Sequence, residues 1–516
     1  MEKSLTLKQK FCDNKIFLIV LIITVFAGAI RFFQLGDHSF WYDEAASVKN
    51  VQQILEVPQQ GPWGPFSFTR GERVPPLYFF VVVPFYLIAN NEWILRLSTV
   101  FFGIFSIPLI YFLGKLLVNE NVGLISAFLL AISPFHIYYS QELRPYSLFL
   151  LLTISAFILF ILATRNNNLK YFWLLIITIT LGIYTHLYMV FVLALLDIVF
   201  LIQWRKYRHL LKRWLMVHIL IFILSIPEIY ILMHHILLGN THLADSYNVI
   251  RYIPGTIYIF TFGRFFFTNF PNIIFIIIQG VIYAFTVLVL LMYFGKNRKK
   301  LRANQFLIFL FSALVIYLAI FLISIIITPL FDEMRVHYLI FLLPMYLILI
   351  AFGLSLISSK VLKNILIITI LCFSIIINYP YFFQWDQIGR GNFRGAAAFI
   401  ERNSGEESVV FHTDDRSIPS INYYLHGETQ QILINSNVMP EINDLDEFWL
   451  VVFHPSSAIS YMEASANLQN DLSNSQLAKE KACRNFLDDI NFEIDKFQSF
   501  NGKNEIFVCH FVQQNK

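Results

Sequence analysis

The sequence predicts an α-helical polytopic membrane protein with a small mixed α/β domain at its C-terminal end. Three observations carry this reading. Of 516 residues, 57% are hydrophobic and only 14% are charged, too little charge to cover a soluble chain of this size. Apolar runs near twenty residues recur through the first three quarters of the chain, each long enough to cross about 30 Å of hydrocarbon. Beyond them the pattern gives way to short apolar stretches alternating with polar ones. The net charge of +4 is modest, and the basic residues gather in short loops, which marks membrane orientation rather than nucleic-acid binding. The 54 Phe and 25 Tyr residues read mostly as lipid-facing and interfacial packing.

Taken in order, the first apolar run, Phe17 to Ile30, is flanked by Lys15 and Arg31. No small-residue cleavage site follows it, so it is a retained span rather than a signal peptide. Candidate spans lie near 16–35, 94–115, 121–139, 147–164, 171–185, 187–204, 214–233, 271–294, 304–328, 337–357 and 361–379, about eleven by the length rule. Pro76 to Ala89 is apolar but short, preceded by Pro75 and interrupted by Pro84. Laid at the interface, with the N-terminus cytoplasmic, it leaves the dense basic clusters (Arg165 to Lys170, Arg205 to Arg213, Lys296 to Arg302 and Lys360 to Lys363) on the cytoplasmic side. The chain then reads as a plasma-membrane protein, with residues 1–384 forming the transmembrane domain. Its long first external loop covers 36–93, and 385–516 form a soluble domain outside the cytoplasm.

In that last domain, Val409 to His412, Gln431 to Ile434, Leu450 to Phe453 and Ile506 to Phe511 read as strands. Phe393 to Glu401 and Ser417 to Leu425 read as helices. The alternation predicts a layered α/β domain. Cys483 and Cys509 both lie there, and a disulfide between them is open in an oxidising compartment. Cys12 precedes the first span and Cys372 lies in an apolar run. No Cys/His spacing resembles a zinc site.

Four polar clusters fall on the external side of this topology. The first is Phe40-Trp41-Tyr42-Asp43-Glu44, where two adjacent carboxylates near a membrane surface are costly to desolvate. A helix-initiating acid pair explains them equally well. The second is Ser133 to Tyr146, a short hinge holding His136, Tyr139, Glu142, Arg144 and Tyr146. An interfacial tyrosine belt accounts for its Tyr residues but less well for Gln141-Glu142-Leu143-Arg144. Phe331 to Tyr338 is the third, with Asp332, Glu333, Arg335 and His337; an Arg at a membrane edge often merely snorkels. The fourth is Tyr184-Thr185-His186, where a lone His is more often structural. Together they put carboxylates and guanidinium groups at one depth of an apolar protein, where polar groups are functional candidates by default. No Walker loop, GxGxxG, DxD-like or His-rich metal motif accompanies them, so any reaction draws on a pre-activated substrate.

These residues carry a family resemblance. The sequence resembles the GT-C superfamily of membrane glycosyltransferases, in particular the protein mannosyltransferase and aminoarabinose transferase group. The matching motifs are Trp41-Tyr42-Asp43-Glu44-Ala45, Pro75-Pro76-Leu77-Tyr78 followed by Glu92-Trp93-Ile94-Leu95-Arg96-Leu97, Ser133-Pro134-Phe135 through Tyr146, and Tyr184-Thr185-His186. Arg335 to Pro344 looks like the group's late Arg/Tyr-rich segment, and Phe393-Arg394-Gly395-Ala396 like the start of its external domain. The resemblance implies an inverting glycosyltransferase with a polyprenyl-phosphate-linked sugar as donor, bound at the outer leaflet. It implies Asp43 as base for an acceptor hydroxyl. Glu44 and Glu142 are the other catalytic candidates, and Glu142 is placed to orient Arg144 or the acceptor. The departing lipid phosphate is a stable anion, and Arg suits it through its planar fork. Arg144 and Arg335 are the phosphate candidates, with Arg73 weaker. Tyr139, Tyr146, His337 and Tyr338 are the remaining donor-binding candidates. One position departs from the group: Val74 stands where a basic residue or His often precedes the Pro pair, with Arg73 one residue earlier.

The partners implied are the lipid-linked sugar, membrane lipids, and a glycan, lipid or protein acceptor. No cofactor is required by the residues, and a divalent metal is left open without a ligand motif. A transporter or flippase of lipid-linked saccharides is the alternative from another class. It would call for inverted repeats and broken helices near the midplane.

Overall fold

The computed structural model describes residues 7–56, 74–237, 252–263, 304–326, 333–383, 391–404, 408–414, 417–425, 429–433, 445, 447–453, 492–500 and 506–513. The candidate span 271–294, Arg73, Asp332 and Cys483 lie outside the described residues. The chain packs as two units. The first comprises Met1–Phe33, Ile54–Asn90 and Ile94–Asn378; the second comprises Gln34–Gln53, Asn91–Trp93 and Tyr379–Lys516.

The helical elements run α1 (Leu7–Phe32), α2 (Tyr42–Glu56), α3 (Leu77–Ile88), α4 (Glu92–Leu117), α5 (Glu120–Ile132), α6 (Pro134–Ser140), α7 (Tyr146–Asn166), α8 (Leu169–Ile183), α9 (Met189–Ile202), α10 (Trp204–Tyr207), α11 (Leu211–Leu237) and α12 (Tyr252–Phe262). They continue with α13 (Gln305–Ile326), a 3₁₀ stretch at Glu333–Leu342, α14 (Leu343–Leu356), α15 (Lys360–Phe383), α16 (Phe393–Asn403) and α17 (Ser417–Tyr424).

Among the described residues, seven helices are long and apolar enough to cross a membrane, or eight if the bent pair α5 and α6 is one span. The chain is a multi-pass membrane protein. The predicted span 121–139 is this pair, bent by 60°. Its break has a local cause. Pro134 stands at the first position of α6 and cannot continue the preceding hydrogen-bond ladder. Ser133 takes the cap instead, its Oγ accepting from His136 N at 3.3 Å. The helix α3, at 12 residues, is about 18 Å long at 1.5 Å per residue, short of the hydrocarbon thickness. With 15 and 14 residues, α8 and α9 fall among the shorter apolar helices.

Close approaches hold the first unit together. A Cβ on Gly123 of α5 would lie 2.5 Å from Tyr111 O of α4, so only glycine lets these helices meet there. Arg165, in the last turn of α7, donates to Leu116 O at 2.8 Å and to Gln305 Oε1 at 2.6 Å, joining the ends of α4, α7 and α13.

Among the described residues of the second unit, five strands form one sheet in the order β2-β1-β3-β5-β4: β1 Val409–His412, β2 Gln430–Leu433, β3 Glu447–Phe453, β4 Phe492–Phe500 and β5 Ile506–Gln513. β1 runs parallel to β2 and β3, whereas β5 is antiparallel to β3 and β4. Alternation along the strands gives the sheet two apolar faces. One presents Val410, Trp449, Val451, Ile506 and Val508 to Phe393, Ala396, Ala397 and Ile400 of α16 and Ile421 of α17. The opposite face carries Phe411, Phe448, Leu450, Val452, Phe507, Cys509 and Phe511, all buried. Cys509 is disulfide-bonded, and Cys372 is a free thiol.

Candidate active site

Within the first unit, α6 leads into a tight hinge, residues 141–145, and then α7. Every residue from Phe135 to Ser147 is buried. The hinge is held from below by Arg31, a fully buried cation at the end of α1. Its guanidinium donates to Ala27 O at 2.9 Å, Ala131 O at 3.0 Å, Leu130 O at 3.1 Å and Ser140 Oγ at 3.2 Å, and sits 2.8 Å from His136 Nδ1. The carbonyls of Leu130 and Ala131 are freed by the break between α5 and α6, and a cation at a helix C-terminus is favoured by the dipole. Gln141 Nε2 adds bonds to Arg31 O at 3.0 Å and Phe33 O at 2.8 Å. The sequence marks Arg31 only as a flank of the first span; its role in building the hinge was missed.

Above this support, the sequence candidates converge. Tyr146 OH and His337 Nε2 share a hydrogen bond of 2.8 Å. Tyr139 stacks on His337 with ring centroids 5.4 Å apart, and Tyr146 meets Tyr139 edge-on at 5.1 Å. Tyr338 packs on His337 at 4.7 Å and on His186 at 4.9 Å. The structure therefore brings Tyr139, Tyr146, His337 and Tyr338 together, and adds His186 and Tyr188 at 5.2 Å. Glu142 and Arg144 belong to the hinge. Glu142 Oε1 accepts from Tyr138 OH at 3.1 Å, and the Arg144 N–H donates to Glu142 O at 2.7 Å. Burial, then the charge of Arg144, push the His186 imidazole down to about 3. It is therefore neutral at physiological pH. Its Nδ1 accepts from Tyr188 N at 3.2 Å, which leaves the proton on Nε2. The Pro75-Pro76 motif meets the same region, since Leu77 N donates to Tyr184 O at 3.0 Å. Arg335 lies in the same 3₁₀ stretch as His337, but its side chain lies outside the described residues.

An apolar cavity of about 450 Å³ opens beside the start of α6. Ser133 and Pro134 border it, together with Phe260, Tyr346, Ile370 and Ile377. The hydroxyls of Thr261 and Tyr346 satisfy each other at 2.5 Å, so the cavity offers an alkyl chain a continuous apolar wall.

In the second unit, Asp43 and Glu44 occupy the first turn of α2. Glu44 is buried and Asp43 is half-buried. The turn hangs from one carbonyl: Glu44 N and Ala45 N both donate to Trp41 O, at 3.0 and 2.9 Å. Among the described residues, no group of three or more His, Cys, Asp or Glu side chains is placed to hold a metal ion.

Fold and site define a multi-pass membrane protein with a buried, aromatic-walled polar cluster beside an apolar cavity. Residues 73–231 match the family model for dolichyl-phosphate-mannose-protein mannosyltransferase. No curated protein matches the sequence. Among solved structures, ArnT from Cupriavidus metallidurans in the apo state is similar at 11% identity and TM-score 0.57, over 95% of this chain and 97% of that one. The same protein bound to undecaprenyl phosphate is similar at 10% identity and TM-score 0.57, over the same shares. AglB from Archaeoglobus fulgidus, an archaeal oligosaccharyltransferase in complex with an inhibitory peptide and a dolichol-phosphate, is similar at 13% identity and TM-score 0.51, over 91% of this chain and 72% of that one. The resemblance drawn from the motifs holds to this extent: the chain shares the fold of these solved structures, and its segment 73–231 matches the mannosyltransferase family model.

Proposed function

We propose that this protein transfers a sugar from a polyprenyl phosphate to an acceptor nucleophile on the outer side of the membrane. One observation carries the reading. A single element, α6, borders the apolar cavity at Pro134 and carries Tyr139 into the polar cluster, five residues or about 8 Å further along the helix. An apolar cavity that close to buried aromatic, imidazole and guanidinium groups suits an amphiphile with a long hydrocarbon chain and a phosphate-linked sugar. The match to a dolichyl-phosphate-mannose family, and the undecaprenyl phosphate and dolichol-phosphate bound by the similar structures, support the same donor class.

The reaction is a single displacement. The acceptor oxygen attacks the anomeric carbon, the carbon–oxygen bond to phosphate breaks, and polyprenyl phosphate leaves with the bonding electrons. Asp43 takes the acceptor's proton in the transition state, and the configuration inverts. Arg144 and Arg335 stabilise the charge on the departing phosphate, with Arg73 assigned to it more weakly. Tyr139, Tyr146, His337 and Tyr338 hold the donor, Glu142 orients the hinge through Tyr138, and Glu44 supports Asp43. N-terminus in and C-terminal domain out follow from the basic loops.

Purified protein in lipid, given radiolabelled polyprenyl-phosphate sugars and a membrane extract, tests this. Wild type is expected to transfer label, Asp43→Asn to lose transfer while folded, and Arg144→Ala to lose most of it. Undiminished transfer by Asp43→Asn sinks the base assignment. The 60° break between α5 and α6 is also a feature of transporters. Movement of labelled lipid across the bilayer, with no sugar transferred from any donor, would favour that second reading.

A further inference from the structure

Glu92, Arg394 and Tyr424 come from three distant stretches of chain: the start of α4, the first turn of α16 and the end of α17. All three belong to the second unit. Arg394 Nη2 and Nε donate to Glu92 Oε1 at 2.5 and 3.1 Å, and Nη2 also reaches Gly36 O at 3.0 Å. Tyr424 OH donates to the same carboxylate oxygen at 2.6 Å and accepts from Phe40 N at 2.6 Å. One hydroxyl thus passes a chain of bonds from a carboxylate to the backbone just ahead of Trp41. Around it, Ser39 Oγ donates to Gly391 O at 3.1 Å, the Phe40 ring packs edge-on against Tyr423 at 4.9 Å, and Trp41 packs against the domain core. Trp41 O in turn accepts the two N–H groups that open α2, the turn carrying Asp43.

We propose that Glu92, Arg394 and Tyr424 are positioning residues for the transfer reaction. They fix Phe40 and Trp41, and through the Trp41 carbonyl they fix the direction in which the first turn of α2 presents Asp43. The inference rests on Asp43 being the base. None of the three residues touches the reacting atoms in this scheme. Direction matters because displacing a reacting group by about 1 Å can cost on the order of a hundredfold in rate.

The test uses the full chain in lipid nanodiscs, with Tyr424→Phe, Glu92→Gln, Arg394→Ala and Arg394→Lys. Tyr424→Phe keeps the ring and removes only the hydroxyl, so it is the variant least able to unfold the domain. Amide hydrogen exchange at residues 40–45 is read beside exchange at 447–453 in β3. Turnover is measured with whichever donor of a polyprenyl-phosphate hexose and pentose panel the wild type uses. Tyr424→Phe is expected to speed exchange at 40–45 and leave β3 unchanged. It is also expected to lower kcat by about tenfold or more while the donor KM stays within about twofold. Arg394→Lys is expected to recover part of what Arg394→Ala loses. Unchanged exchange at 40–45 overturns the proposal. So does faster exchange with wild-type kcat while Asp43→Asn is inactive, because the hold then exists without use in the reaction. Wild-type turnover in Asp43→Asn is a separate failure: it removes the base, and the exchange result then still decides whether the network holds the segment.

Discussion

Tyr146 and His337 are 191 residues apart in sequence and share a hydrogen bond of 2.8 Å inside the first unit. Both are buried, at 3% and 9% exposure, so the bond replaces water for two polar groups at once. Tyr146→Phe removes the hydroxyl and leaves the imidazole nitrogen buried without it, which costs about 1–3 kcal/mol. The variant is expected to keep its secondary structure, melt lower in detergent, and transfer sugar at a rate reduced on the order of tenfold, the equivalent of about 1.4 kcal/mol. Thermal unfolding and initial rates measured on one preparation check both parts. A lower melting temperature with wild-type transfer would leave the bond structural only.

Gly103 of α4 has no room for a side chain. A Cβ there would stand 2.3 Å from Ser140 Oγ and 2.7 Å from Ser140 Cβ. Gly103→Ala must push α4 away from the end of α6, an overpacking cost of about 1–3 kcal/mol. Adding Ser140→Ala removes the nearest clashing atom, so the double variant is expected to be more stable than the sum of the single effects. A thermal-stability cycle in detergent measures the coupling, and simple additivity would mean that α4 relaxes without touching Ser140.

Arg31 binds three carbonyls and Ser140 Oγ, with His136 beside it, from a fully buried position. Breaking such a network strands several buried polar groups, at a cost of about 1–3 kcal/mol for each one left unsatisfied. Lys cannot replace it, because a point-like ammonium cannot span acceptors arranged around a planar fork. Arg31→Met and Arg31→Lys are both expected to lose the monodisperse folded protein, as read by size-exclusion chromatography after extraction. Wild-type behaviour of Arg31→Lys would show that one charge suffices at the α5–α6 break.

How much of this the sequence disclosed depends on the range of the interaction. Strand β1 stands where its β-branched run predicts, because a short apolar stretch between polar ones carries its own signal. Strand β4 was missed, and the register shows why: an irregularity between Ile494 and Lys496 breaks the period-two alternation. Hydropathy also hid the bend after Ile132, since Ser133-Pro134 sits inside an apolar run and only the proline's missing N–H marks it. In the candidate site, the Tyr and His residues announced themselves by density in short hinges. Arg31 did not, because nothing local distinguishes a span-end arginine that snorkels from one that folds inward onto α6. Glu92, Arg394 and Tyr424 were equally silent as a group: the partners are separated by 302 and 332 residues, and the pairing exists only once the sheet is built.

The second unit carries a built-in acid weakness at His412. Its side chain is fully buried at the end of β1, and Nδ1 lies 2.8 Å from Ser417 Oγ. That hydroxyl spends its own proton on Asp414 O at 2.7 Å, so it accepts from Nδ1–H. Burial pushes the imidazole from its ordinary 6.5 down to about 4, against a small opposing effect of Gln431. The unfolded chain therefore binds a proton that the folded one refuses throughout that window. Stability is undiminished above pH 6.5, falls as pH drops towards 4, and has lost about 3 kcal/mol from this group once the folded imidazole is also protonated. His412→Asn keeps a donor and cannot titrate. It is expected to be less stable than wild type at pH 7 because it fills less of the site, and to show a shallower decline between pH 6.5 and 4. Denaturant unfolding of the full chain, followed by Trp fluorescence across that range, compares the two slopes. Equal slopes would mean that His412 gains its proton without the domain opening.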